Sequence, residues 1–370
     1  MIANPFRGIM VNVSARLGRV FGNAKVGAIL LANTNYTDSN FLYLTGLPAA
    51  TLEGYMLVAE RRRVTVLVNV LDYEIAKENS PRGVRVVKWQ TREEIRRALK
   101  RLLKGKVVGV NGDFIPVDFA RRLKRASGAR RFVDVSDAFT KARVIKDAEE
   151  VRSISIANRI IKSALREIPR HLKPGVTEKE IAAKIAYLMM SKGADSPSFP
   201  SIVSFGSNTA LPHHMPDGTR LTPNSLVLMD VGARYNNYCS DVTRTLIFRP
   251  DRKSAKYKKM TEIYGIVKRA QEMATARIRV GAVAGDVHRV ASDYINSAAK
   301  GTYKGKFTHA LGHSVGIDVH DGGIGFAPGY KEKLRPGMVI TNEPGIYVVG
   351  FGGVRIEDDI LVTKRGAKIL

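Results

Sequence analysis

Short apolar runs alternate with amphipathic stretches through the first third of the chain. Runs at residues 27–32, 55–59, 64–70, 84–87, 107–110 and 132–135 have the length and β-branched content of strands. Between them, residues 91–103 and 116–126 repeat apolar positions three and four apart, which predicts helices. Together they describe an α/β domain. Asp147 then opens a long helical pattern through Ile154, Ala157, Ile161 and Leu165, halted around Pro169 and Pro174, since proline has no amide hydrogen to continue a helix. Thr177 followed by Glu180 is a capping-box start for a helix to about Lys192. After Pro197 the pattern turns to strands. Residues 225–235 and 238–248 read as a hairpin around Asn236-Asn237, because asparagine tolerates the left-handed backbone of a tight turn. Helices are predicted over 255–279 and 284–300, and the last seventy residues are glycine-rich and strand-like. Without a tandem repeat or low-complexity linker, two packed domains are expected, 1–139 and 140–370.

The length agrees: 370 residues at ~150 per domain gives about two. With 44% hydrophobic and 25% charged residues the chain is globular, which excludes a disordered polyelectrolyte. No apolar run approaches the ~20 residues that span a bilayer. The first twenty residues mix Arg7, Asn12 and Arg16 among apolar positions, so neither a signal peptide nor a membrane partner is expected. A lone Cys239 cannot close an intramolecular disulfide, which fits a reducing, cytoplasmic setting.

Charge complicates this picture, because 60 Lys and Arg face 34 Asp and Glu, a net +26. Such a surplus attracts nucleic acid through its long-range field. It is spread along the chain, however, with +12 in residues 1–140 and +14 in the rest. Of the densest groups, Arg61-Arg62-Arg63 lies between two apolar runs. The sets Arg96, Arg97, Lys100, Arg101, Lys104 and Arg121, Arg122, Lys124, Arg125 sit at helical spacing opposite apolar positions such as Ile95, Leu99 and Leu102. These read as solvated helix faces, and no paired Cys/His finger accompanies them, so nucleic acid is not expected as a partner.

The candidate chemistry lies in acids placed inside apolar strands. In Leu226-Val-Leu-Met-Asp230-Val-Gly232 a carboxylate stands where an unpaired ion costs several kcal/mol. If Tyr235 opposes Tyr238 in the hairpin, Asp230 opposes Thr243, and Asp241 lies diagonally beside Asp230 on the same face. Two carboxylates there repel unless a cation lies between them. The alternative is an ordinary Asp241–Arg244 ion pair with Asp230 a polar residue near a turn. Downstream, His309, His313 and His320 place three of seven histidines within twelve residues, Glu343 follows an apolar run, and Glu357 follows Gly352-Gly-Val-Arg-Ile. An oxygen-rich set with one imidazole suits two divalent ions of the Mn, Co, Fe or Zn type and fits structural zinc poorly. Paired ions of this kind activate water for hydrolysis.

At these residues the sequence resembles the pita-bread metallopeptidases, in the prolidase (Xaa-Pro dipeptidase) and aminopeptidase P branch. The resemblance is carried by Ala210-Leu-Pro-His213, Met229-Asp230-Val-Gly-Ala, Tyr238-Cys-Ser-Asp241-Val-Thr-Arg, His309-Ala-Leu-Gly-His313-Ser-Val-Gly, Thr341-Asn-Glu343-Pro-Gly-Ile-Tyr347 and Gly352-Gly-Val-Arg-Ile-Glu357-Asp. Asn40-Phe-Leu-Tyr-Leu-Thr-Gly46 extends it to that family's creatinase-like amino-terminal α/β domain. The resemblance implies an α/β domain followed by an α+β pita-bread catalytic domain, with Asp230, Asp241, His313, Glu343 and Glu357 binding two divalent ions, Mn or Co foremost. It further implies that a hydroxide bridging the ions attacks the scissile carbonyl, with Glu343 as proton shuttle. His213, His309 and His320 would hold substrate or oxyanion, and Arg355 and Tyr347 would support the site. The implied substrate is a dipeptide or short peptide with proline after its first residue, and the implied assembly a homodimer. Aminopeptidase P-type activity, methionine aminopeptidase-like activity and a catalytically silent basic binding module are the alternatives. One departure bears on the choice: family members commonly have His-Glu where His320-Asp321 stands, and some prolidases follow it with an arginine that reads the dipeptide carboxylate, absent from Asp321-Gly-Gly-Ile324-Gly.

Overall fold

A computed structural model describes residues 11–48 and 53–370, so Arg7 lies outside the described residues. The chain divides into two compact units, Met1–Arg143 and Val144–Leu370. In the first, β1 (Ala28–Ala32), β2 (Met56–Glu60), β3 (Arg63–Asn69), β4 (Val84–Trp89), β5 (Val107–Val110) and β6 (Arg131–Asp134) form one sheet in the order β4-β3-β2-β1-β5-β6. Pairing is antiparallel along β1-β2-β3 and parallel elsewhere. The expected helices are α4 (Arg92–Leu103), which buries Leu99 and Leu103, and α5 (Val117–Ser127), which buries Leu123. Their arginines and lysines, together with Arg61, Arg62 and Arg63, are solvent-exposed, as the solvated-face reading requires.

Four helices of this unit escape the apolar pattern: α1 (Val13–Asn23), α2 (Ser39–Thr45), α3 (Tyr73–Asn79) and α6 (Ser136–Arg143). Three of them are too short to repeat an amphipathic stripe. In α1 the stripe is broken by Arg16, which is nonetheless buried. Its Nη1 donates to the Tyr43 carbonyl at 2.6 Å, and its guanidinium lies 4.7 Å from the Tyr43 ring centroid.

The second unit begins with α7 (Ala148–Glu167) and α8 (Glu178–Ser191), each opened by a complete capping box, Asp147 with Glu150 and Thr177 with Glu180. Four small strands follow a short β7 (Ser196–Pro197) and β8 (Ile202–Phe205): β9 (Ser225–Val231), β10 (Ala233–Tyr235), β11 (Tyr238–Cys239) and β12 (Val242–Phe248). Helices α9 (Ala255–Arg277) and α10 (Ala284–Ser297) come next. The latter stops short of residue 300 because Ala299 and Lys300 turn to positive φ. The glycine-rich end supplies β13 (Gly312–His313), β14 (Gly325–Phe326), β15 (Val339–Asn342), β16 (Gly345–Val348), β17 (Gly352–Arg355), β18 (Asp358–Thr363) and β19 (Gly366–Ile369). They pair as β13-β14, β15-β18-β19 and β16-β17, beside β12-β9-β8 and β11-β10-β7. One apolar core joins α9 and α10 to Ile340, Ile346, Val354 and Ile360; another joins α7 and α8 to β8, β9 and β12. The unit is therefore α+β. Among the described residues no helix is long and apolar enough to cross a membrane.

The hairpin has the expected register. Asn236 and Asn237 take φ of 50° and 68°, Tyr235 faces Tyr238, and Thr243 faces Asp230. The ladder is interrupted opposite Gly232, where an added Cβ would collide with the Ser240 carbonyl. Asp241 thus sits in the break between β11 and β12.

A buried ion pair fastens the segment that carries His313 and His320. Lys146 Nζ donates to Asp321 Oδ2 at 3.0 Å and Ser314 Oγ at 3.2 Å, with the two ionic side chains 0% and 2% exposed. Removing one partner of such a pair is far worse than removing both. Lys146→Met is expected to lower unfolding free energy by about 3–5 kcal/mol, and Lys146→Met with Asp321→Leu to recover most of that loss. Denaturant unfolding of the three proteins checks it; equal losses in the single and double variants would contradict it.

Candidate metal centre

Strand ends and turns of the second unit deliver Asp230, Asp241, His313, Glu343 and Glu357 to one cavity of about 450 Å³. His213, His309, His320 and Arg355 line the same cavity, and Phe199, Ile202 and Val319 give it an apolar wall. These nine expected residues are therefore brought together, and Tyr347, also expected, stands behind them within hydrogen-bond reach of His309 and Arg355. The alternative Asp241–Arg244 pair does not form, for Arg244 donates to Asp358 Oδ1 at 2.7 Å and to the Thr243 carbonyl at 2.9 Å.

Three of the four carboxylates, those of Glu357, Glu343 and Asp230, accept from a specific donor, and Asp241 is anchored instead at its backbone amide. Thr243 Oγ1 donates to Glu357 Oε2 at 2.6 Å, and Thr341 Oγ1 donates to Glu343 Oε1 at 3.1 Å. The Asp241 amide donates to Asp359 Oδ2 at 3.0 Å, which Asn158 Nδ2 also reaches at 2.7 Å. Arg355, 3% exposed, spends its guanidinium on Asp230 Oδ2 at 2.5 Å, Tyr347 Oη at 2.7 Å and Thr243 Oγ1 at 3.1 Å. Of these supports, Thr243 was legible as the residue opposite Asp230. Thr341 was visible only as part of the motif around Glu343, and Asn158 and the wall residue Phe199 carry no signal in the sequence, because each matters only through a tertiary contact.

On the other side the donor atoms face one another. Asp230 Oδ1 and Asp241 Oδ1 are buried without a hydrogen-bond partner. His313 Nε2 lies 3.5 Å from Asp241 Oδ2 and 3.4 Å from Glu343 Oε1. Burial, with His320 next to it, pulls the His313 imidazolium pKa down to about 4, so the ring is neutral near pH 7. With Nδ1 donating to the Ser314 carbonyl at 3.3 Å, Nε2 presents a lone pair to two carboxylates. Burial, reinforced for Asp241 by Glu357 and Asp230 and for Glu357 by Glu343 and Asp230, holds both carboxyls well above their usual range. Burial also raises Glu343 to about 8. Lone pairs converging on one point repel unless a cation occupies it. Asp241, His313 and Glu357 each offer an atom within 4.8 Å of the others. The donor set therefore fits divalent metal ions.

His309 is oriented from behind. Tyr347 lies 2.8 Å from Nε2, while Nδ1 lies 2.7 Å from the Ala310 carbonyl. Burial lowers its pKa to about 4, so a neutral ring donates from Nδ1 and accepts the tyrosine proton at Nε2. Arg355 in turn donates to Tyr347, which completes a directed chain of hydrogen bonds.

The model of metallopeptidase family M24 matches residues 152–364, and that of the creatinase/prolidase N-terminal domain matches residues 15–145. The Xaa-Pro dipeptidase of Pyrococcus horikoshii is 36% identical over 346 residues, 93% of this chain and 92% of that protein. The crystal structure of a prolidase from Pyrococcus horikoshii superposes with a TM-score of 0.83 at 34% identity, covering 96% of each chain. The X-Pro aminopeptidase of Thermotoga maritima superposes with a TM-score of 0.84 at 28% identity, covering 95% of this chain and 97% of that one.

If ions relieve the repulsion in this cage, Mn2+ or Co2+ should raise the unfolding temperature of chelator-treated protein. The gain corresponds to about 2.7 kcal/mol at a free ion concentration a hundredfold above Kd. Asp241→Asn removes a like charge without changing shape. The metal-free variant is expected to be at least as stable as metal-free wild type and to gain almost nothing from the ion. Thermal unfolding with and without ion measures both.

Proposed function

This chain belongs to metallopeptidase family M24, and from that premise we propose that it is an exopeptidase hydrolysing the Xaa-Pro bond of dipeptides or short peptides. The observation that carries this reading is the convergence of four carboxylates and a neutral imidazole, lone pairs inward, at the floor of a cavity with an apolar wall. The names of its relatives support the choice of bond. Charge balance supports two ions: once bound ions ionise all four carboxyls, these against Arg355 leave three negative charges, which one dication only partly offsets. Mn and Co are the ions we expect in this oxygen-rich set.

Asp230 and Asp241 would hold one ion, and Asp241, His313, Glu343 and Glu357 the other, with Asp241 and Glu357 shared. Bound there, the ions would supply Lewis acidity, lowering the pKa of a water and polarising the scissile carbonyl. Glu343, itself one of the cage acids lining the cavity, would take a proton and return it to the leaving nitrogen. His213 and His320 reach the cavity from opposite segments and are the imidazoles that would grip substrate. Arg355 and Tyr347 fix Asp230 and His309 in place. Phe199, Ile202 and Val319 offer the shaped apolar surface a proline ring needs. The proline nitrogen has no hydrogen to donate, so this recognition rests on shape. A homodimer in the cytoplasm completes the reading, in keeping with the buried thiol of Cys239.

Aminopeptidase P-type cleavage of longer peptides is the second reading, favoured by one observation. Among the described residues the only arginine or lysine lining the cavity is Arg355, whose guanidinium is engaged with Asp230, Tyr347 and Thr243. No described cation of the lining is left for a dipeptide carboxylate.

Chelation is expected to abolish hydrolysis and Mn2+ or Co2+ to restore it. A panel of Xaa-Pro, Xaa-Pro-Yaa and Met-Yaa peptides, assayed after reconstitution, separates the readings. Stoichiometric ion binding with no Xaa-Pro cleavage would defeat both.

A further inference from the structure

A second cluster of acids and histidine lies outside the cage. Glu178, His214 and Asp217 each offer an atom within 4.8 Å of the others, the spacing of a metal site. The hydrogen bonds exclude that use. Glu178, its side chain 0% exposed at the first turn of α8, already receives four donors. Oε1 accepts from the Phe205 amide at 2.7 Å and Asn208 Nδ2 at 3.0 Å. Oε2 accepts from His214 Nε2 at 2.8 Å and the Asp217 amide at 3.1 Å. A carboxylate has about four lone-pair sites, so none remains.

All four donors come from one segment, residues 205–217. Midway along it Pro212 and His213 enter the substrate cavity. The same segment is tied to the cage at its other side: Gly353 donates to Thr209 Oγ1 at 2.8 Å, and Arg355 Nη2 lies 3.5 Å from the Pro212 carbonyl. His213 therefore stands on a stretch of chain clasped by Glu178 on one side and by the Arg355 strand on the other. Its neighbour His214 is a direct rung of the clasp.

We propose that Glu178, acting through His214, is a positioning residue that fixes His213 in the substrate cavity. The proposal rests on the function proposed above, in which His213 grips the peptide. An amide at position 178 would turn a donor toward donors, and loss of the His214 ring would free the turn that carries His213.

The test combines kinetics with amide exchange on metal-reconstituted protein. Glu178→Gln and His214→Ala are expected to lower kcat/KM for an Xaa-Pro peptide about tenfold, chiefly through KM, as loss of a buried charge-assisted hydrogen bond implies. Metal content should not change, and exchange of the Phe205 and Asp217 amides should accelerate. His214→Gln, whose side-chain amide can replace the Nε2–H donor, should recover most of the loss. In a His213→Ala background, Glu178→Gln should cost nothing further. Additive losses in that background, or accelerated exchange with unchanged KM, would show that the clasp does not act through His213. Unaltered exchange in Glu178→Gln would overturn the clasp itself, and a wild type inert toward every Xaa-Pro peptide would overturn the function it rests on. Should Glu178→Gln fail to fold, the His214→Ala and His214→Gln comparison decides.

Discussion

Four carboxylates buried around one point cannot all be ionised without a counter-charge. That repulsion organises the second unit. It explains why three of the acids are fastened by donors, Glu357 by Thr243, Glu343 by Thr341 and Asp230 by Arg355, while Asp241 is anchored at its backbone, its amide donating to Asp359. A flexible carboxylate would swing away from its neighbours and toward water. The donors on Glu357, Glu343 and Asp230 remove that escape for those three, so their remaining lone pairs stay pointed toward Asp241 and one another. The cage is thus held against its own electrostatics by hydrogen bonds that do not themselves enter the cavity.

The strands supply the same constraint at longer range. Pairing of Asp230 with Thr243 puts on one ladder both a carboxylate of the cage and the hydroxyl that bridges Arg355 and Glu357. Thr341 and His313 are joined in the same way, the His313 amide donating to Thr341 Oγ1 at 3.0 Å. Gly312 allows the approach, since a side chain there would collide with the Thr341 carbonyl. Short, interrupted strands suit this purpose better than long ones. Each break, such as that at Gly232, frees one residue to turn inward.

The parts of this arrangement that were legible in the sequence are those decided locally. Asn236-Asn237 can take the left-handed backbone of a two-residue turn, and once the turn is placed the register of every residue on both strands follows. The capping box at Thr177 depends on three or four residues and formed as written, and the helix expected to open at Asp147 does so. An acid within an apolar run is visible because burial makes it costly. What could not be read depends on chain segments far apart. Asn158 meets Asp359 across two hundred residues, and Lys146 meets Asp321 across nearly as many. Helix α1 was hidden for a related reason: the contact that makes Arg16 tolerable belongs to Tyr43.

Arg355 illustrates how one residue links the stability of the cage to the choice of substrate. As the one arginine or lysine that the described residues bring to the cavity lining, it offsets part of the cage's negative charge, and its planar fork lets it do so while holding Asp230 and Tyr347 in fixed directions. A guanidinium committed in this way has no free edge to offer a ligand. On the proposed reading, recognition of the peptide then falls to imidazoles and an apolar wall, which sense shape and hydrogen bonding more than a terminal charge. On that reading, a cage that spends its cation inward would leave the far end of the substrate unspecified, and the proposed tolerance for peptides longer than a dipeptide would follow from the same electrostatics that permit the carboxylates to be buried.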